Sequence, residues 1–149
     1  MGICGNIYLK VVMKVLSIRE PYASLIMNGK KRIETRSWRT NYRGEFLVHS
    51  SLGKMAGKDK YNDIVNDLIS DMDMNYGYII CKCKLVDCIY MDEEFIRFIK
   101  DNRTEYAVGE YKVGRYAWVL EDVEPIKKIR TKGKLNFWNY EGEYEILDR

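Results

Sequence analysis

The chain has no apolar run approaching the roughly 20 residues that cross a bilayer, so no membrane span is expected. It has one histidine, His49, and no C-x-x-C pair among its four cysteines, Cys4, Cys81, Cys83 and Cys88. That argues against a metal site; buried reduced thiols without a disulfide framework fit a cytoplasmic protein. No Gly-rich phosphate loop, no H-x-x-E-H-type helix and no G-x-S-x-G elbow is present, so the common nucleotide hydrolases, zinc proteases and serine hydrolases are not indicated. No cofactor is implied. There is no repeat, low-complexity tract or linker, and 149 residues suit one domain with one real core.

What is present is a local excess of positive charge. The chain holds 25 Lys+Arg against 22 Asp+Glu, a net charge of +3. The stretch GKKRIETRSWRTNYRG, Gly29 to Gly44, holds six Lys/Arg around the single acid Glu34 and carries +5, so the rest of the chain sums to −2. Such concentration concerns a site and not bulk composition.

The first twelve residues, MGICGNIYLKVV, lack the basic and apolar segments of a signal peptide, and Asn6 stands where a myristoylation signal needs Ser or Thr. Met13 opens MKVLSIREPY like a natural start. We expect an N-terminal extension over 1–12, as a tail or an added edge strand, and a single domain over 13–149. Val15–Ile18 reads as a strand, and Glu20-Pro21 opens a helix striped by Tyr22, Leu25 and Ile26 that ends at Asn28-Gly29. Lys31–Trp38 reads as a strand with Glu34, Arg36 and Trp38 on one face and Ile33 and Thr35 on the other. A second strand, Glu45–Ser50, sets Phe46 and Val48 opposite Leu47 and His49. A long helix is expected over Lys58–Met72, a strand over Tyr78–Cys88, and a helix capped by Asp92. Tyr116–Leu120 reads as a strand and Pro125–Ile129 as an edge strand. Strands and helices without regular βαβ units predict a mixed β-barrel with flanking α-helices, β-rich α+β in class.

Arginines alternating with Trp along a strand suit a nucleic-acid surface better than a solvated strand. Glu34, flanked by Lys31 and Arg36, is either an acceptor for an exocyclic amine such as cytosine's or only the counter-ion that fixes Arg36. His49 is either a general base or a packed strand histidine. The basic run Lys127, Lys128, Arg130, Lys132 and Lys134 is either a solvated edge or a phosphate-binding rim.

At these residues the chain resembles the ASCH domain, named for homology to activating signal cointegrator one. The signature G-x-K-x-x-E-x-R is met by Gly29, Lys31, Glu34 and Arg36. The flanking VLSIREPYASLI and W-x-T-x-Y-R-G and the later GRYAWVLEDVEPI and KGKLNFWNY also match, from about Met13 to Tyr140. The resemblance implies a PUA-like fold: a small β-barrel with a cleft beside it, suited to RNA, single-stranded nucleic acid or a nucleotide. The cleft residues would be Ser17, Arg19, Lys31, Glu34, Arg36, Trp38 and Arg43. One branch of the family hydrolyses N4-acetylcytidine with a Thr nucleophile where this chain has Glu34, so that chemistry is not carried over. The readings are a binding module, an enzyme (a ribonuclease or modified-nucleoside amidohydrolase using Lys31 and Glu34), or a protein-interaction adaptor, with a monomer as default.

Overall fold

The computed structural model describes residues 11–147. Its sheet begins with β1, Val11–Ile18, which runs parallel to β3, Gly44–Ser50, and antiparallel to β6, Phe137–Gly142. The parallel β1–β3 pair requires a crossover. That crossover carries α1, Tyr22–Met27, and β2, Ile33–Arg36, and delivers the basic stretch beside β1. A short 3-10 turn, Lys58–Lys60, and α2, Asp63–Ile69, lead to the long strand β4, Tyr78–Tyr90. Then come α3, Glu93–Lys100, α4, Arg103–Ala107, and β5, Tyr116–Arg130.

The six strands lie in the order β2-β5-β4-β3-β1-β6. Among the described residues no ladder joins β6 to β2, so the sheet is open and not a closed barrel. The expected class, β-rich α+β, holds. The sheet nevertheless curls. The β4–β5 ladder shifts register at three places and Asp122 takes a left-handed φ of 53°, and such irregularities increase twist and bend strands. Curling brings Trp118 of β5 into a stack on Phe137 of β6 at 5.7 Å between ring centres.

The main core fills the inner face: Leu16, Ile18, Phe46, Val48, Ile80, Cys81, Cys83 and Trp118, closed by Ala23 and Ile26 of α1. Leu47 faces the other way with Val15, Ile79 and Ile126, so β3 alternates as its sequence predicts. Cys81 and Cys83 form no disulfide and are buried in the core. No helix among the described residues is long and apolar enough to cross a membrane.

Several boundaries differ from the sequence expectation. β1 starts two residues before Met13, with Val11 and Val12 paired to Gly142 and Glu141, so a boundary at Met13 falls inside a strand. Residues 1–10 and Cys4 lie outside the described residues. The 58–72 helix is interrupted because the Asn62 side chain accepts the Val65 N–H at 2.9 Å and caps a new helix. Its stripe of Tyr61, Val65, Leu68, Ile69 and Met72 still packs, against Leu25 and Val108. Pro125 lies within β5, in the half that β2 does not cover; there the Leu147 N–H reaches the Pro125 carbonyl.

Candidate functional site

The basic strand is shorter than its sequence pattern because its first residues are tied elsewhere. The Lys31 N–H donates to the Leu25 carbonyl of α1, and the Arg32 N–H donates to Glu105 Oε1 of α4 at 2.6 Å. Only Ile33–Arg36 joins the ladder, against Tyr116–Val119 of β5. This arrangement turns Lys31 inward. Its side chain is 1% exposed and its Nζ donates to the Val108 carbonyl at 2.6 Å. Nζ lies 3.8 Å from Glu34 Oε1 and 5.4 Å from the centre of the Tyr22 ring. Burial pulls the Lys31 pKa below its ordinary value, with Glu34 opposing.

Glu34, also buried, divides its carboxylate. Oε2 accepts from Arg36 Nε at 3.0 Å and lies 2.9 Å from Nη2 in an ion pair. Oε1 faces Lys31 from beyond hydrogen-bond length. Arg36 Nη2 also donates to the Ser17 carbonyl at 3.1 Å, linking β2 to β1. The Arg36 guanidinium sits 5.3 Å from the Trp38 ring and 5.8 Å from Trp118, a cation–π pocket.

Lys31, Glu34 and Arg36 help wall an open cleft of about 570 Å³. Five of the seven residues expected there line it: Ser17, Arg19, Lys31, Glu34 and Arg36. Trp38 and Arg43 do not. Trp38 follows the end of β2, is 40% exposed, and packs edge-on against Trp118. Arg43 donates to the carbonyls of Thr40 and Tyr42 and lies 3.9 Å from Asp87, in the turn before β3.

The +5 of the basic stretch therefore does not collect in the cleft. Lys30 donates to the Leu68 carbonyl, and Arg32 and Arg39 are exposed outside the lining. The cleft's own charges are Arg19, Lys31, Arg36 and Arg115 against Glu20, Glu34 and Glu110. Glu20 is engaged by the Ser24 and Asn75 N–H groups and the Ser24 hydroxyl; Arg115 pairs with Glu110 at 3.3 Å. The wall is nearly neutral and rich in fixed donors and acceptors.

Ser17 reaches a second network. His49 Nε2 lies 2.8 Å from the Thr131 carbonyl, which can only accept, so Nε2 carries the proton. Nδ1 then accepts from the Ser17 hydroxyl at 3.1 Å, whose oxygen accepts from Trp138 Nε1, also at 3.1 Å. His49 is a packed strand histidine with both nitrogens committed, and burial lowers its pKa from the usual 6.5. Gly133 presses on this network: a Cβ there would lie 2.6 Å from Ser17 Oγ and His49 Nδ1. The 131–136 loop, with exposed Lys132 and Lys134, is thus seated beside Ser17.

Sequence reasoning missed Glu105, Val108 and Tyr22 as site residues. Glu105 is buried, its pKa raised by burial, and it holds the backbone of Arg32. Asn102 and Glu105 have the spacing of a helix capping box, and Asn102 does accept the Glu105 N–H. The Glu105 carboxylate reaches across to β2 instead, which local spacing does not reveal. Tyr22 reads as a helix-stripe residue, but its ring packs edge-on against Tyr61 at 6.5 Å and both line the cleft.

The chain matches the family model "ASCH domain" over residues 16–130. It is 23% identical over 137 residues to the mouse protein Activating signal cointegrator 1. That match covers 86% of this chain but 22% of the relative, so the chain spans about a fifth of the mouse protein. A solved structure of a ZmASCH mutant protein from Zymomonas mobilis aligns at TM-score 0.44 and 15% identity, covering 78% of this chain and 74% of that one. With the family model spanning most of its length, the chain belongs to the ASCH domain family.

Proposed function

We propose that this domain binds single-stranded RNA or a nucleotide, with a base in the cleft and phosphates on its rim. The observation that carries this reading is the divided carboxylate of Glu34. Arg36 holds one oxygen, and Oε1 remains able to accept a hydrogen bond from an exocyclic amine, as a carboxylate does with the cytosine amino group. The volume of about 570 Å³ suits a nucleotide-sized ligand. Tyr22 and Tyr61 offer ring surfaces, and exposed Arg19, Lys132 and Lys134 offer phosphate contacts.

The test is titration of the four nucleoside monophosphates and of single-stranded RNA at several salt concentrations. Binding to RNA should weaken with salt, log K falling by roughly 0.7 per tenfold salt for each phosphate neutralised. Lys127→Ala should produce a small loss, independent of base sequence, with a shallower slope. Absence of binding to any nucleotide or strand would overturn this reading and favour a protein-interaction adaptor.

A second reading, hydrolysis of RNA or a modified nucleoside, is favoured by one observation. Lys31 is desolvated, carries a lowered pKa, and faces Glu34 in the cleft wall. Product analysis of the same mixtures decides between binding and turnover.

A further inference from the structure

A second groove, of about 600 Å³, lies on the far side of the 107–110 segment and shares Gly109 and Glu110 with the cleft. Its centre is an aromatic column. Phe95 of α3 stacks on Tyr111 at 6.2 Å and 29°, and Tyr111 stacks on Tyr106 of α4 at 5.8 Å and 20°. The inner rings are buried or half-buried, while Tyr106 ends the column 37% exposed and lines the groove. A ring backed by two others is a rigid platform.

Cations surround that platform. Lys100 Nζ lies 6.0 Å from the centre of the Tyr106 ring, and Arg103 and Lys112 complete the positive lining. Among the described residues neither Lys100 nor Arg103 has a carboxylate within 4.0 Å. The groove's acid, Glu110, is paired with Lys112 at 3.7 Å and with Arg115 at 3.3 Å.

Gly109 lies where the two hollows meet and lines both. A Cβ there would lie 2.5 Å from Tyr111 Cε2 and 3.1 Å from Thr35 Cγ2, so the chain passes between them only because it carries no side chain.

We propose that the groove is a second subsite for the same ligand: a neighbouring base of a single-stranded nucleic acid stacks on Tyr106 while Lys100 and Arg103 take its phosphates. The chemistry matches what such strands require, a π-face beside mobile cations. A base on Tyr106 displaces the Lys100 ammonium from the ring and frees it for phosphate. This inference rests on the proposed cleft and extends it: the ligand is an oligonucleotide, not a mononucleotide alone.

The experiment titrates cytidine monophosphate and single-stranded oligocytidylates, up to the octamer, into the full chain and into Lys31→Ala, Tyr106→Ala, Tyr106→Trp and Lys100→Ala/Arg103→Ala variants. Parent affinity should rise by about 5- to 150-fold once the strand reaches the column, the usual worth of one stacked base. Tyr106→Ala should remove that increment and leave the monophosphate affinity unchanged. Tyr106→Trp keeps a platform and should bind at least as well as the parent, which preserves the test if the alanine variant unfolds. The double variant should show a shallower salt slope for the octamer and an unchanged one for the monophosphate. A full length increment in folded Tyr106→Ala overturns the subsite, as does an octamer that binds no better than the monophosphate; the cleft survives either result. If Tyr106→Ala removes the increment while Lys31→Ala leaves the monophosphate affinity intact, the subsite stands and the base pocket falls. If nothing binds, both fall and the column is left to a protein partner.

Discussion

The Lys31 ammonium and the Glu34 carboxylate lie 3.8 Å apart inside the cleft wall, and each has a second partner that fixes it: the Val108 carbonyl for Lys31 and the Arg36 guanidinium for Glu34. Lys31 is among the largest fully buried side chains of the domain. A surface lysine could be removed at little cost, but this one cannot.

Lys31→Ala should therefore cost about 3 kcal/mol, near the low end for breaking a buried pair because Arg36 still neutralises Glu34. Lys31→Met keeps the volume and should cost less. Urea unfolding of both variants measures this. Midpoints equal to the parent's would show that the pair carries no structural weight. Any binding loss should be read only where both variants are folded.

Glu34→Gln keeps the shape but presents a donor where the carboxylate can only accept. The expected result is a change in which nucleoside monophosphate binds best, larger than the change in total affinity. Competition among the four monophosphates measures it. An unchanged rank order would reduce Glu34 to the counter-ion of Arg36.

His49 gives a pH signature. Its folded pKa lies below the unfolded 6.5, so the unfolded chain takes up a proton first as pH falls. The stability from neutral His49 is complete above 6.5 and is lost as pH falls from there through the folded value. Unfolding midpoints of the parent should drop over that window, and His49→Asn should flatten the drop. Parallel curves would remove His49 as the cause.

Gly133→Ala forces a methyl against Ser17 and His49, both held by hydrogen bonds. Overpacking of this kind costs about 1–3 kcal/mol. Thermal melting should show it. If the 131–136 loop serves as rim, octamer binding should also become less sensitive to salt.

Deletion of residues 1–12 removes Val11 and Val12 from the β1–β6 ladder but keeps Met13–Leu16 paired. Val12 is 57% exposed and Val11 half-buried, so these two take little apolar burial with them. We expect a loss of about 1 kcal/mol, a fall in Tm of a few degrees. A collapse of the domain would show that the segment before Met13 contributes much more than this short ladder.

Local pattern determined much of this protein. Alternation set Phe46 and Val48 against Leu47 and His49, and the Asp92 side chain caps α3 by accepting the Phe95 N–H, because both effects act within a few residues. The motif around Lys31, Glu34 and Arg36 pointed to the cleft that these residues line, since charge, Trp and spacing are visible along one strand. Tertiary structure decided the rest. Whether a cation of the basic stretch is buried, neutralised or exposed depends on partners far along the chain: Val108 for Lys31, Ser17 for Arg36, Leu68 for Lys30. Trp38 and Arg43 share the motif's composition but fall outside the cleft because β2 ends at Arg36 and the chain turns. Glu105 joins the site from α4, and the sheet curls without closing because its β4–β5 register slips. Burial and long-range pairing are properties of the folded surface, and residue spacing carries no record of them.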